Sequence, residues 1–154
     1  MSSRRLKSWK SIVLSLVIFS IVTPCFARID DWEIHTYKDG SRFLRLKSQQ
    51  QIKTRILSDS SGGKIISAKP HEFHKHIEVI EYFAGEHGTS QLVQIYHAAL
   101  FDTARRKILG SFPVRYEAPG MEKQPAQPKW TSDENSIKIM VPDTGKTTEI
   151  RVKN

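Results

Sequence analysis

Histidine and acidic residues that could bind a metal are concentrated between residues 71 and 87. The segment reads His71-Glu72-Phe73-His74-Lys75-His76, and Glu78, Glu81 and His87 follow it. On a β-strand, two residues with one residue between them project to the same face. Adjacent imidazoles are typical ligands of zinc, copper or iron. The candidate metal ligands are therefore His74, His76, Glu81 and His87.

The spacing from His74 and His76 to Glu81 and then Gly88 resembles the first metal motif of the cupin family. That resemblance implies a β-barrel and a metal-dependent enzyme, with a divalent metal as the cofactor. The match is partial, because Ala68 stands where the motif has glycine and no second motif follows. Strand alternation also places Glu81 opposite both histidines unless a bulge intervenes. The alternative is that the histidines are solvated surface groups and that the protein has no cofactor.

A second candidate site is the segment Gly85-Glu86-His87-Gly88-Thr89-Ser90. It lies between two strongly β-favouring runs, so it is predicted to be a loop at the rim of a rigid scaffold. Binding residues are often found in such loops. The candidate binding residues here are Glu86, His87, Thr89 and Ser90. The alternative is a plain hairpin loop.

Basic residues form a third group on the early strands. Arg42, Arg45, Lys53 and Arg55 lie on predicted neighbouring strands, with Tyr37 and Phe43 nearby. Such a cationic face could bind an acidic protein, a lipid head group or an anionic glycan. The alternative is that these charges only protect the sheet from pairing with other chains. No complete catalytic set is visible, and no G-x-S-x-G sequence marks a nucleophile.

Residues 1–27 have the pattern of an export signal. A basic opening contains four Lys or Arg residues, an uncharged apolar run follows from Ser11 to Val22, and Cys25-Phe26-Ala27 ends in a small residue. This pattern predicts cleavage after Ala27 and a periplasmic or secreted protein. An uncleaved anchor is the main alternative, although the run is short for a span of about 20 residues. Lipid attachment at Cys25 is a further alternative.

Charge and cysteine content restrict the function of the chain beyond the signal. Removing the four basic residues lowers the formal charge from +8 to +4 for residues 28–154. Nucleic acid is therefore not an expected partner. Cleavage of the signal would also leave no stable membrane anchor. The only cysteine, Cys25, leaves with the signal, so no disulfide can form. The length of residues 28–154 predicts one domain with a single core.

Residues 28–154 are predicted to be all-β. Short runs rich in β-branched and aromatic residues alternate with turn signals, starting with a hairpin around Asp39-Gly40. The longest runs are expected at 73–83, 90–101 and 107–116, and Pro113 should confine the last to an edge or a bulge. Residues 98–101 could instead form a helical turn.

The end of the chain completes the β pattern. Residues 117–129 contain Pro119, Gly120, Pro125 and Pro128, which predicts an exposed connection. Residues 136–141 and 147–152 should form a terminal hairpin. Its inward residues should be Ile137, Ile139, Val141, Ile150 and Val152. Eight or nine antiparallel strands without helices predict a small β-sandwich or barrel.

The functional hypothesis is an exported, non-enzymatic binding protein of the bacterial envelope. Its partner would be a protein or an anionic envelope component. Periplasmic lysozyme inhibitors are exported β-proteins of similar size, which makes an inhibitor-like role one alternative. A subunit of an envelope assembly is another, and the cupin-like metal enzyme is the third.

Overall fold

The computed structural model describes residues 27–56, 63–89 and 92–152. These residues form ten strands in three antiparallel sheets, and a short 3₁₀ turn, Ile29–Asp31, precedes the first strand. The strands are β1 (Trp32–Thr36), β2 (Arg42–Leu46), β3 (Gln49–Arg55), β4 (Lys64–Pro70), β5 (Ile77–His87), β6 (Val93–Asp102), β7 (Lys107–Glu117), β8 (Lys129–Ser132), β9 (Ser136–Val141) and β10 (Lys146–Arg151).

We call β1–β2–β3 the N-terminal sheet, β4–β5–β6–β7 the central sheet, and β8–β9–β10 the C-terminal sheet. Each is a meander in which consecutive strands pair, as short connections favour. The first hairpin turns at Asp39 and Gly40, where Gly40 adopts a φ of +79° that a residue with a side chain rarely accepts. The predicted hairpin is confirmed.

The N-terminal sheet packs on one face of the central sheet. Trp32, Leu44 and Ile52 from the N-terminal sheet meet Ile80 and Phe101 from the central sheet in one buried cluster. The Trp32 and Phe101 rings are 5.2 Å apart in an edge-to-face arrangement, which aromatic pairs prefer. Burial of this apolar surface holds the two sheets together.

The C-terminal sheet packs on the opposite face of the central sheet. Ile77 and Leu100 meet Ile137, Ile139 and Val152 in a second buried cluster. Val141 and Ile150 pack at its margin. All five inward residues predicted for the terminal hairpin therefore lie in or against this core. The result is three stacked sheets with two apolar interfaces.

The interface with the N-terminal sheet also contains buried polar groups. Glu78 is fully buried, and the hydroxyl groups of Tyr82 and Ser111 are 2.7 Å apart. Burial lowers the pKa of His97 to about 4, so its imidazole is neutral at physiological pH. His97 lies directly opposite Tyr82 on the neighbouring strand, and their ring centroids are 6.0 Å apart.

The all-β fold class is confirmed, and within the described residues the sheets stack without closing into a barrel. The strand count is ten in that part of the chain, slightly above the predicted eight or nine. Residues 98–101 are buried strand, so the helical alternative is wrong. Pro113 lies in β7, an edge strand with a register shift beside it, as expected. The predicted export signal, apart from Ala27, lies outside the described residues.

The connection predicted at residues 117–129 spans residues 118–128 and is mostly exposed, but Ala118 and Pro128 at its ends are buried. Two glutamine side chains satisfy the outer backbone groups of the strand end that precedes it. Gln127 bonds to the backbone N–H and carbonyl of Tyr116, and Gln124 does the same at Ala118. These side-chain amides form the hydrogen bonds that a further strand would otherwise form with the backbone at this edge.

Candidate functional site

The solvent-facing side of the N-terminal sheet carries aromatic and cationic side chains together. Alternation along the strands sends Leu44 and Ile52 to the core and Phe43 and Lys53 outward. Register places His35 opposite Phe43 and Phe43 opposite Arg55, while Arg45 lies between Glu33 and Lys53. We call His35, Tyr37, Phe43, Arg45, Lys53 and Arg55 the aromatic–cationic face.

Three rings on this face contact one another. The His35 and Tyr37 ring centroids are 4.7 Å apart, and those of Tyr37 and Phe43 are 5.3 Å apart, both edge-to-face. The Lys53 ammonium nitrogen lies 4.8 Å from the centroids of both Tyr37 and Phe43. Edge-to-face ring pairs and a cation above an aromatic ring are both attractive arrangements. The cluster is therefore preorganised without any ligand.

The charges on this face are only partly compensated by its own residues. Arg45 forms a salt bridge with Glu33 at 2.5 Å. Lys53 donates a hydrogen bond to the Tyr37 hydroxyl at 3.0 Å, which lowers the pKa of that phenol. Among the described residues, neither Lys53 nor Arg55 forms a salt bridge. Arg55 acts electrostatically on Asp39 in the first turn, whereas Lys53 contacts the Tyr37 hydroxyl and the aromatic rings. The Lys53 charge can therefore be shared with a ligand.

The rings and the end of the first hairpin enclose a shallow concavity of about 800 Å³. Its lining is mostly apolar, from His35, Tyr37 and Phe43. Polar and charged groups come from Lys38, Asp39, Ser41 and Lys53. The rim is fixed by the turn, where both the backbone N–H and the hydroxyl of Ser41 donate to Asp39. An apolar floor with a few polar groups is typical of a binding site.

The structure brings together three of the four predicted basic residues. Arg45, Lys53 and Arg55 share the aromatic–cationic face, whereas Arg42 lies on the opposite side of β2 from Phe43. A Cβ built on Gly63 would collide with the Arg42 guanidinium, which places that group against the start of β4. Sequence reasoning missed His35, although its alternation with Tyr37 could have indicated a shared face.

The second predicted site is not a loop over its whole length. Glu86 and His87 belong to β5, where they pair with Gln94 and Val93. The strand continues because a bulge at Ala84 and a φ of +144° at Gly85 keep it in the sheet. Glu86 is half-buried and accepts a hydrogen bond from Gln94 at 3.2 Å.

Only part of that segment remains available to a ligand. His87 and Thr89 are exposed, and His87 borders a small concavity of about 270 Å³ beside Tyr116. Ser90 lies outside the described residues. The four predicted residues therefore do not form one site in the described part of the chain.

The four predicted metal ligands are not assembled either. β5 starts at Ile77, so His74 and His76 lie in a turn closed by the bond from the Ile77 N–H to the His74 carbonyl. Glu81 accepts from Arg115 at 2.9 Å, and His87 lies at the far end of β5, about 30 Å from Ile77 at the usual rise per residue. No group of three or more metal-ligand residues converges within the described residues.

The histidine cluster instead organises the turn between β4 and β5. His71 Nδ1 accepts from the backbone N–H groups of Phe73 and His74, and its Nε2 lies 3.2 Å from the Ser132 hydroxyl. Burial lowers the pKa of His71. His74 is buried, and its ring centroid is 5.2 Å from that of His71 and 6.3 Å from that of His76. These contacts connect the turn to the C-terminal sheet.

A second cation–aromatic contact lies on the central sheet. The Arg115 guanidinium carbon is 3.8 Å from the centroid of the Tyr96 ring. Arg115 also pairs with Glu81 and with Glu117. Since two carboxylates already compensate this guanidinium, it is less suited to an anionic ligand than Lys53.

Comparison with known proteins gives no family assignment. The chain matches no protein-family model and has no significant match among the curated proteins or the solved structures. The geometry of the described residues must therefore carry any functional argument. Over that part of the chain, the search for a helix with the length and apolarity of a membrane span found none.

Proposed function

We infer that this chain is an exported, non-enzymatic binding protein that recognises an anionic glycan through its aromatic–cationic face. The observation that carries the proposal is the Lys53 ammonium held above the Tyr37 and Phe43 rings at the edge of an open concavity. A sugar ring can pack its C–H groups on these aromatic side chains. Its carboxylate, sulfate or phosphate groups can meet Lys53 and Arg55.

The fold itself does not require this arrangement. The inner side of the N-terminal sheet already supplies buried residues such as Trp32, Leu44 and Ile52 to the core. Tyr37 and Phe43 are half-buried by their own neighbours on the outer side, away from that core. Large apolar groups concentrated on a solvent face usually mark an interaction surface. Lys53, whose ammonium contacts aromatic rings and a phenol within the described residues, favours an anionic ligand.

Export is supported by the sequence. Residues 1–27 combine a basic opening, an uncharged apolar run and a small residue at the predicted cleavage point. The predicted mature chain has no cysteine, so its fold does not depend on the redox state of the compartment. An envelope location would place the aromatic–cationic face among acidic polysaccharides. The inhibitor-like and assembly-subunit roles remain predictions.

The binding experiment compares an acidic polysaccharide with a neutral one. We expect polygalacturonate to bind and dextran not to bind. The variant Lys53→Ala should weaken binding by about tenfold, because a loss of about 1.4 kcal/mol follows from removing a charged contact. Lys123→Ala is the matched control, since Lys123 is exposed in the 118–128 connection and the charge change is equal. It should change affinity less than about twofold.

Three results would contradict the proposal. One is equal weakening by both lysine substitutions, which would indicate a non-specific charge effect. Another is stronger binding to anionic vesicles or to an acidic peptide than to the polysaccharide. The third is polysaccharide binding that survives both Lys53→Ala and Tyr37→Ala. Thermal unfolding of each variant shows whether it is folded.

A further inference from the structure

The chain enters the fold between two carboxylates. The backbone N–H of Ala27 donates to Glu78 Oε2 at 3.1 Å, and the N–H of Arg28 donates to Asp31 Oδ2 at 2.5 Å. Ala27 also packs against the core beneath the N-terminal sheet. Two consecutive backbone nitrogens therefore each contact a different acidic side chain.

Glu78 is an acidic residue at the interface between the N-terminal and central sheets, where most buried residues are apolar. It is fully buried on the central sheet, and its other oxygen accepts a hydrogen bond from the Trp32 indole at 3.4 Å. Within the described residues it forms no salt bridge. Burial raises its pKa to about 7. A buried carboxylate with only neutral donors is costly, and a cation beside it would relieve that cost.

The two carboxylates accept from neighbouring backbone nitrogens. The backbone nitrogens of Ala27 and Arg28 are three covalent bonds apart, so they cannot be more than about 4 Å from each other. The negative charge of Asp31 also acts on Glu78. Two acidic groups that contact adjacent nitrogens and act on each other electrostatically can both attract a positive charge placed on the second nitrogen.

We propose that cleavage of the Ala27–Arg28 peptide bond, which the sequence already predicts, releases an α-ammonium group at Arg28 that is held between the carboxylates of Asp31 and Glu78. This inference rests on the proposed export of the protein. The bond would be hydrolysed by the host signal peptidase. Water supplies the hydroxyl that completes the Ala27 carboxyl group and the hydrogen that completes the Arg28 amine.

Processing replaces a neutral donor with a charged one. Removing Ala27 vacates the position that its N–H occupies at Glu78 Oε2, and the Arg28 nitrogen is the next backbone nitrogen along the chain. A free α-amino group is mostly protonated at neutral pH, because its usual pKa is about 7.7 to 8.0. The processed chain would therefore gain an ion pair that the precursor cannot form.

The test uses the full chain, exported and purified from the bacterial envelope. N-terminal sequencing should give Arg28 as the first residue. Selective acetylation of the α-amine, which removes its charge, should lower the melting temperature by about 3 to 6 °C. In Glu78→Gln the same acetylation should lower it by less than about 1 °C. Asp30→Asn is the matched control, because Asp30 is an exposed acid next to Asp31, and it should keep the full effect.

A second measurement does not depend on the folding of Glu78→Gln. Titration of the α-amine by NMR in the unmodified protein should show a pKa above the usual range, and Asp31→Asn should lower it. An equal loss of melting temperature in wild type and Glu78→Gln would overturn the inference. A first residue other than Arg28 in a processed chain would also overturn it. A chain that still begins at Met1 would contradict export itself.

Discussion

The N-terminal and C-terminal sheets cover opposite faces of the central sheet with three strands each, but their solvent-facing sides differ in chemistry. The central row of the C-terminal sheet reads Thr131, Lys138 and Glu149. Lys138 lies 3.4 Å from Asp133 and 3.7 Å from Glu149, so its charge is compensated locally. On the N-terminal sheet, Lys53 instead lies over aromatic rings.

This difference shows which residues the stacking of the sheets requires and which it does not. Both sheets bury aliphatic residues on their inner sides, and that burial is sufficient to stack them on the central sheet. The outer side of the C-terminal sheet shows that a three-stranded layer in this fold can be completed without a cluster of aromatic rings. The aromatic–cationic face is therefore an addition to the fold, which is why we assign binding to it.

The largest expected effect tests whether both inner sides are equally important for folding. Leu44 and Ile137 are fully buried, one under each outer sheet. Leu44→Ala and Ile137→Ala should each lower the free energy of unfolding by about 2 to 5 kcal/mol, because each leaves a cavity in a packed interface. Urea denaturation measures both. A cost below about 1 kcal/mol for either variant would contradict the packing of that sheet.

The next effect concerns pH and is confined to the interface with the N-terminal sheet. In the unprocessed chain, burial raises the pKa of Glu78 from 4.5 to about 7. The folded state therefore loses stability relative to the unfolded state as the pH rises through this range. The lowered pKa of His97 has the opposite sign, because the unfolded state binds more protons between about 4 and 6.5. Each contribution is about 3 kcal/mol over its range.

The two contributions to the free energy of unfolding should largely offset each other between pH 4.5 and 6.5 in the unprocessed wild-type chain. Relative to wild type, Glu78→Gln should gain stability as pH rises through this range, and His97→Gln should lose it. Denaturation at several pH values gives both slopes. The same slope in both variants would show that these groups do not titrate as their burial indicates.

A smaller effect tests the polar part of the aromatic–cationic face. Tyr37→Phe keeps the ring and removes the hydroxyl to which Lys53 donates. We expect polysaccharide affinity to fall by about twofold to tenfold, since one hydrogen bond is worth about 0.5 to 1.5 kcal/mol. Isothermal titration calorimetry measures this change. An increase in affinity would contradict the role of the hydroxyl in positioning Lys53.

The smallest effect is expected on the opposite side of the molecule. Lys138→Ala removes an exposed cation that already has two acidic neighbours. It should lower the free energy of unfolding by less than about 1 kcal/mol and leave polysaccharide binding unchanged. A clear loss of binding in this variant would remove the contrast between the two outer sheets.

The fold was largely predictable because strand signals are local. Turn and strand signals predicted the first hairpin around Asp39-Gly40 and the terminal hairpin with its five inward residues. The start of β5 was wrong, since long-range hydrogen bonds of His71 hold residues 71–76 in a turn. The extension of β5 past Gly85 was missed because a bulge depends on pairing with the neighbouring strand.

The candidate site was less predictable because it depends on pairing between strands, which spacing along the sequence does not show. Spacing along one strand grouped His74 with His87, but an extended strand separates them by its own length. The contact of Lys53 with Tyr37 joins a residue of β3 to the residue that follows β1, and only the register of β1, β2 and β3 creates it. The sequence could place the basic residues near Tyr37 and Phe43, whereas the contacts between the rings and the position of His35 required the sheet.

The most direct test of the central claim is an NMR titration of the isotope-labelled protein with polygalacturonate. We expect amide shifts to concentrate at His35, Tyr37, Phe43 and Lys53, and the amides of Thr131, Lys138 and Glu149 on the C-terminal sheet to show no change. Shifts on the C-terminal sheet, or saturable binding that leaves the aromatic–cationic face unperturbed, would contradict it.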